Sequence, residues 1–80
     1  MDIKIVGTGC AKCKKLEETV REVVQELNVD AAVGKISDIK EIAQTGILMT
    51  PGLIIDGKVK LSGKVPSKEE TIKIIKSSLP

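Results

Sequence analysis

The chain has 80 residues and a formal net charge of +2, room for one domain spanning residues 1–80 and too little for an interdomain cleft. Its apolar residues are almost wholly Ile, Val and Leu, and it contains no Phe, Tyr, Trp or His. That composition excludes Ser/His and Cys/His catalytic pairs, imidazole metal ligation and aromatic stacking on nucleic-acid bases, and leaves cysteine as the obvious nucleophile.

Asp2 to Val6 alternates and is β-branched, which predicts a strand, and Gly7-Thr8-Gly9 ends it in a flexible turn. Cys10 follows at once. From Ala11 to Leu27 the residues Leu16, Val20, Val23, Val24 and Leu27 recur at helical spacing among Lys, Glu and Arg, which predicts an amphipathic helix. Val29 to Ile36 reads as a second strand, after which Ser37 or Asp38 can cap a short helix carrying Ile39, Ile42 and Ala43, with Gly46 ending it. Gly52 to Asp56 holds the run Leu53-Ile54-Ile55 of a strand buried on both faces. Asp56-Gly57 is a hairpin turn, and Lys58 to Ser62 alternates like an edge strand with one wet face. Ser67 with Glu70 makes a capping box, and Ile72, Ile75 and Leu79 give the last helix its apolar stripe. The predicted order is β-α-β-α-β-β-α.

Cys10-Ala11-Lys12-Cys13 carries the chemistry. Two residues between cysteines at a helix start bring the sulfurs close enough to bond while the first thiol stays at the exposed end. Unpaired N–H groups and the positive end of the helix dipole favour a thiolate at Cys10, with Lys12, Lys14 and Lys15 adjacent. Thiols in such motifs fall to about 3.5 to 7.5 from a free value of about 8.5. Cys10 is thus the expected nucleophile, Cys13 the resolving thiol, and Lys12 and Lys14 the residues that tune the pKa. The bland alternative treats both cysteines as small apolar filler and the lysines as a solvated helix face. The placement of the pair at a strand-to-helix junction argues against filler. Two cysteines so close also make a poor structural staple, which argues against a secreted disulfide scaffold.

Thr50-Pro51 is the second notable feature, because a proline opening a buried-looking strand cannot donate to the ladder. By itself it reads as an ordinary trans turn, since only about 5 to 6% of X–Pro bonds in folded proteins are cis.

A C-x-x-C after the first strand, the β-α-β-α-β-β-α order and Thr50-Pro51 opening the third strand together resemble the thioredoxin superfamily at glutaredoxin size. The segments Gly9-Cys10-Ala11-Lys12-Cys13-Lys14-Lys15-Leu16-Glu17, Thr50-Pro51-Gly52-Leu53 and Ser62-Gly63-Lys64-Val65-Pro66-Ser67 are similar to the small prokaryotic thioredoxin-like group of redox-active disulfide proteins. The resemblance implies an α/β thioredoxin-like fold, a four-stranded mixed sheet flanked by three helices. It also implies that Pro51 is cis and packs against the cysteine pair, and that the Thr50 backbone pairs with a substrate chain. The implied activity is thiol-disulfide oxidoreduction, the reduction of protein or small-molecule disulfides.

No Trp precedes the cysteines and no Pro-Tyr lies between them, so potential and partner do not transfer with the resemblance. Lys4 in the first strand suggests that one sheet face is only partly covered.

Two rival readings remain. A Cu(I) or heavy-metal carrier also places C-x-x-C after a first strand, but such domains resemble β-α-β-β-α-β and usually have Met where this chain has Thr8. A non-catalytic redox sensor would keep the fold and undergo one stoichiometric oxidation. No cofactor or metal is implied, because the two sulfurs themselves carry the electrons. The expected partners are a disulfide-containing substrate and an upstream reductase or small thiol. Nucleic acid is not expected, because the nearly balanced charges are spread along the chain. No apolar run approaches the roughly 20 residues of a membrane span, and Met1 to Val6 does not resemble a signal peptide, so the cytoplasm is the expected compartment. Oligomeric state is open, with a monomer as the working expectation.

Overall fold

The computed structural model describes residues 1–9, 11–47 and 49–79. The elements run β1 (Asp2–Val6), α1 (Ala11–Glu26), β2 (Ala32–Ile36), α2 (Ile39–Thr45), β3 (Gly52–Ile55), β4 (Lys58–Ser62) and α3 (Lys68–Ser77). The sheet order is β2-β1-β3-β4. β1 and β2 are parallel, which requires a crossover, and α1 supplies it. β3 lies antiparallel to both β1 and β4. This is the α/β thioredoxin-like arrangement that the sequence suggests. β2 leads directly into α2, so the two successive strands of the metal-carrier order are not formed.

Period-two alternation along β1 and β3 sends Ile3, Ile5, Leu53 and Ile55 to one face, where they meet Leu16, Val20 and Val23 of α1 and Ile75 of α3. Each of these side chains is essentially withdrawn from water. The opposite face carries Val6 and Ile54, covered by Ile42 of α2 and by Ile47. α2 is short and shields only that end. Lys4 lies further along the same face, partly exposed, its ammonium 3.5 Å from Asp2 and close over Gly34. The charge in β1 therefore marks the uncovered part of the sheet.

Helix ends follow the expected chemistry. Asp38 caps α2 by accepting from the Lys40 N–H, and Gly46 ends the helix at φ 80°. Asp56 and Gly57 both take positive φ, as a tight hairpin turn requires. Ser67 Oγ accepts from the Glu70 N–H at 3.2 Å. The Glu70 carboxylate turns instead to Lys64, 3.4 Å away, so the capping box closes on one arm. Ser67→Ala is expected to cost about 1 kcal/mol, the usual loss of a serine cap, measurable by chemical denaturation.

Three features differ from the expectation. The strand predicted from Val29 begins at Ala32, because Val29 N–H returns to the Val24 carbonyl and Asn28 adopts φ 53°, closing α1. In β4 the pairing slips between Leu53 and Ile54, placing Leu61 opposite Leu53 and Val59 opposite Ile54. Val59 and Leu61 consequently face opposite sides, and Val59 is exposed. Leu79 lies beyond α3 and is exposed, while Thr71 is fully buried, its hydroxyl donating to the Ser67 carbonyl.

α3 is tied to α1 by Lys68, whose ammonium reaches Glu22 at 2.9 Å and Glu26 at 2.7 Å. Hydrogen bonding to Glu22 and then Glu26 raises the Lys68 pKa to about 12, and the Lys68 hydrogen bond holds Glu22 below its ordinary value. While its carboxylate partners are ionised, the raised group stabilises the fold below its unfolded pKa and loses that contribution as pH climbs through about 12. The depressed carboxylate contributes above its unfolded pKa and loses its share as pH falls below it. All three side chains are exposed, so the effect is small. Lys68→Ala should slightly lower the melting midpoint near neutral pH in thermal scans, and the deficit should vanish in acid and in high salt.

Candidate active site

The site lies where the C-terminal end of β1 meets the start of α1 and the turn entering β3. Val6, buried beneath α2, fixes the end of β1, and the Gly7 N–H donates to the Ile36 carbonyl at 2.9 Å, tying the next residue to β2. Gly9 then turns the chain at φ 89°. Cys10 lies outside the described residues. α1 begins at Ala11; Ala11, Lys12 and Lys14 are exposed and its first turn holds no acidic residue.

Cys13 is 5% exposed, on the inward face one turn before Leu16. A β-carbon built on Gly7 would fall on Cys13 Sγ, lie 3.0 Å from Cys13 Cβ, and approach Thr50 Cβ at 3.9 Å. Gly7 is therefore the meeting point of β1, the first turn of α1 and the 50–51 turn. The Thr50–Pro51 peptide is cis, as the resemblance implies. Pro51 is buried and its carbonyl accepts from the Gly63 N–H at 2.9 Å, while Thr50 stays exposed. The fold thus brings Cys13 and Thr50 into one neighbourhood. Lys14 lines the cavity beside Cys13, whereas Lys12 projects from the exposed surface of the same turn.

That cavity, about 260 Å³, is bounded by Gly7, Thr8, Cys13, Lys14, Glu17 and Lys35. Glu17 is the element that sequence reasoning passed over. Read as helix surface, its side chain is only 18% exposed, with Arg21 at 3.0 Å and Lys35 at 3.4 Å. The Arg21 hydrogen bond, with help from Lys35, holds its carboxyl below the ordinary value against an opposing effect of burial. The i,i+4 spacing to Arg21 is visible in the sequence, but Lys35 arrives from β2 through tertiary packing. Among the described residues no three side chains of His, Cys, Asp or Glu come together as a metal site. Nor is any helix among them long and apolar enough to cross a membrane.

Residues 1–76 match the family model described as a thioredoxin domain. The chain is 48% identical over 75 residues to a thioredoxin of Methanothermobacter thermautotrophicus, covering 94% of this chain and 97% of that one. It is 43% identical over 77 residues to a thioredoxin of Methanocaldococcus jannaschii, covering 96% and 88% respectively.

Proposed function

This chain belongs to the thioredoxin family, and from that premise we propose that Cys10 and Cys13 carry its chemistry. It is a thiol-disulfide oxidoreductase, a disulfide reductase whose partners are disulfide substrates and a reductant. In the proposed cycle the Cys10 thiolate attacks one sulfur of the substrate disulfide. A Cys10–substrate bond forms, and the other substrate sulfur leaves as a thiolate that takes up a proton. Cys13 then gives up its proton and attacks Cys10 Sγ. The mixed disulfide breaks, the second substrate sulfur leaves as a thiol, and two electrons have passed to the substrate. The reductant, a thiol or a reductase, returns the Cys10–Cys13 disulfide to the dithiol.

The observation that carries this assignment is the burial of Cys13 against Gly7, beside Thr50. A shielded second thiol suits resolution, because intruding thiols reach it poorly while the two-residue spacing of the motif suits a bond between its sulfurs. In the same proposal the backbone of Thr50 pairs with the substrate chain, and Pro51 shapes the floor beneath it. Lys12 and Lys14 lower the Cys10 pKa from the first turn of α1. Cations at a helix N-terminus oppose the macrodipole, and a thiolate placed there turns the arrangement favourable. We place the protein in the cytoplasm as a monomer, since a reducing compartment suits a working dithiol.

Turnover separates the readings. A catalytic amount of the protein, given excess protein disulfide and excess dithiol reductant, should process many equivalents of substrate per chain. One equivalent of oxidation per chain and no more would make it a sensor and overturn the proposal.

A further inference from the structure

Most of the glycines among the described residues have a conformational or packing reason unconnected with sulfur. Gly9, Gly46, Gly57 and Gly63 take positive φ, and Gly52 makes room for Ile47. Gly34 faces only the flexible end of Lys4. Gly7 is different. Its φ lies outside the left-handed region, so its backbone would accept another residue, yet the place of its β-carbon is filled by Cys13 Sγ. Its own backbone cannot readily retreat, being hydrogen-bonded to Ile36 of β2 directly after the buried end of β1.

We propose that Gly7 is a positioning residue for Cys13, its missing side chain forming the seat that holds the sulfur buried against β1 beside Thr50. The inference rests on the reading of Cys13 as the resolving thiol, and it makes Gly7 a determinant of how that thiol is shielded and aimed. A methyl group at Gly7 pushes the sulfur out of its seat, because the strand is fixed and the first turn of a helix is the softer element. The displaced Cys13 is more open to solvent and less well aimed at Cys10.

The test compares Gly7→Ala with Gly34→Ala, a control at which only a lysine terminus must move. In a Cys10→Ser background, iodoacetamide should alkylate Cys13 about tenfold faster or more with Gly7→Ala and at an unchanged rate with Gly34→Ala. With both cysteines present, Gly7→Ala should accumulate the Cys10–substrate mixed disulfide during turnover. Stability supplies a third readout that does not depend on activity: Gly7→Ala should cost clearly less in a Cys13→Ala background than beside Cys13, a coupling that a glycine kept only for its backbone conformation would not give. If Gly7→Ala alone does not fold, recovery of folding in Gly7→Ala/Cys13→Ala supports the seat, and failure of both overturns it. Equal alkylation, unchanged resolution and additive stabilities would also overturn it. A Cys13→Ser protein that traps no mixed disulfide would instead refute the two-thiol cycle, leaving the alkylation and stability tests of the seat standing.

Discussion

Cys10→Ser is expected to reduce disulfide turnover by at least about a thousand-fold, some 4 kcal/mol of transition-state stabilisation, while Cys13→Ser traps the protein halfway through its cycle. The chain has two cysteines and no histidine, so the thiol left in the Cys10 variant is Cys13, which is 5% exposed and poorly placed to attack a substrate. Serine keeps the size of cysteine but its hydroxyl is far less acidic than a thiol, and it cannot form a disulfide. The Cys13 variant retains the attacking group, so it should accumulate one covalently bound substrate per chain, seen as an added mass that a reductant removes. Peptide mapping should place that mass on Cys10. A mass on Cys13 in the Cys10 variant, with turnover preserved, would reverse the assigned roles.

Leu16→Ala is expected to cost about 2 to 5 kcal/mol, the range for a large buried aliphatic residue cut back to alanine. Leu16 is fully buried among Ile3, Ile5, Leu53 and Ile55, where α1 lies on the centre of the sheet. A domain of this size buries a modest share of its surface, so such a loss is a large fraction of a total stability of about 5 to 15 kcal/mol. The melting midpoint should fall by about 4 to 8 °C for each kcal/mol. Calorimetry or far-ultraviolet circular dichroism suits the measurement, since the chain has no Trp or Tyr to report by fluorescence. A loss below about 1 kcal/mol would mean that the site collapses around the cavity and that α1 is held chiefly by other contacts.

Elements with a long, regular pattern were legible in the sequence. Leu16, Val20 and Val23 of α1 are buried as their spacing requires, and Leu53, Ile54 and Ile55 are covered on both faces. Patterns that depend on pairing were less so. Alternation in β4 places Val59 and Leu61 on one side, but a slip in register against β3 sends them to opposite sides. Val29 has the β-branched character of a strand, yet a turn at Asn28 uses it to close α1.

The site divides in the same way. The C-x-x-C spacing and Thr50-Pro51 are short linear signals, readable with the help of family resemblance. Gly7 looks in sequence like part of a flexible turn, and only the approach of Cys13 and Thr50 from two other elements gives its missing side chain a purpose. The ion pair between Glu17 and Lys35 joins α1 to β2 and has no local signature.

The assignment of nucleophile and resolver is tested most directly by following thiolate absorbance against pH in the reduced protein, with alkylation and mass mapping to assign each step. A chain with no Phe, Tyr or Trp offers a clear background in the far ultraviolet. The account predicts that Cys10 titrates well below the free-thiol value of about 8.5 and that Cys13 titrates above it. Two thiols that both titrate near the free value would contradict it.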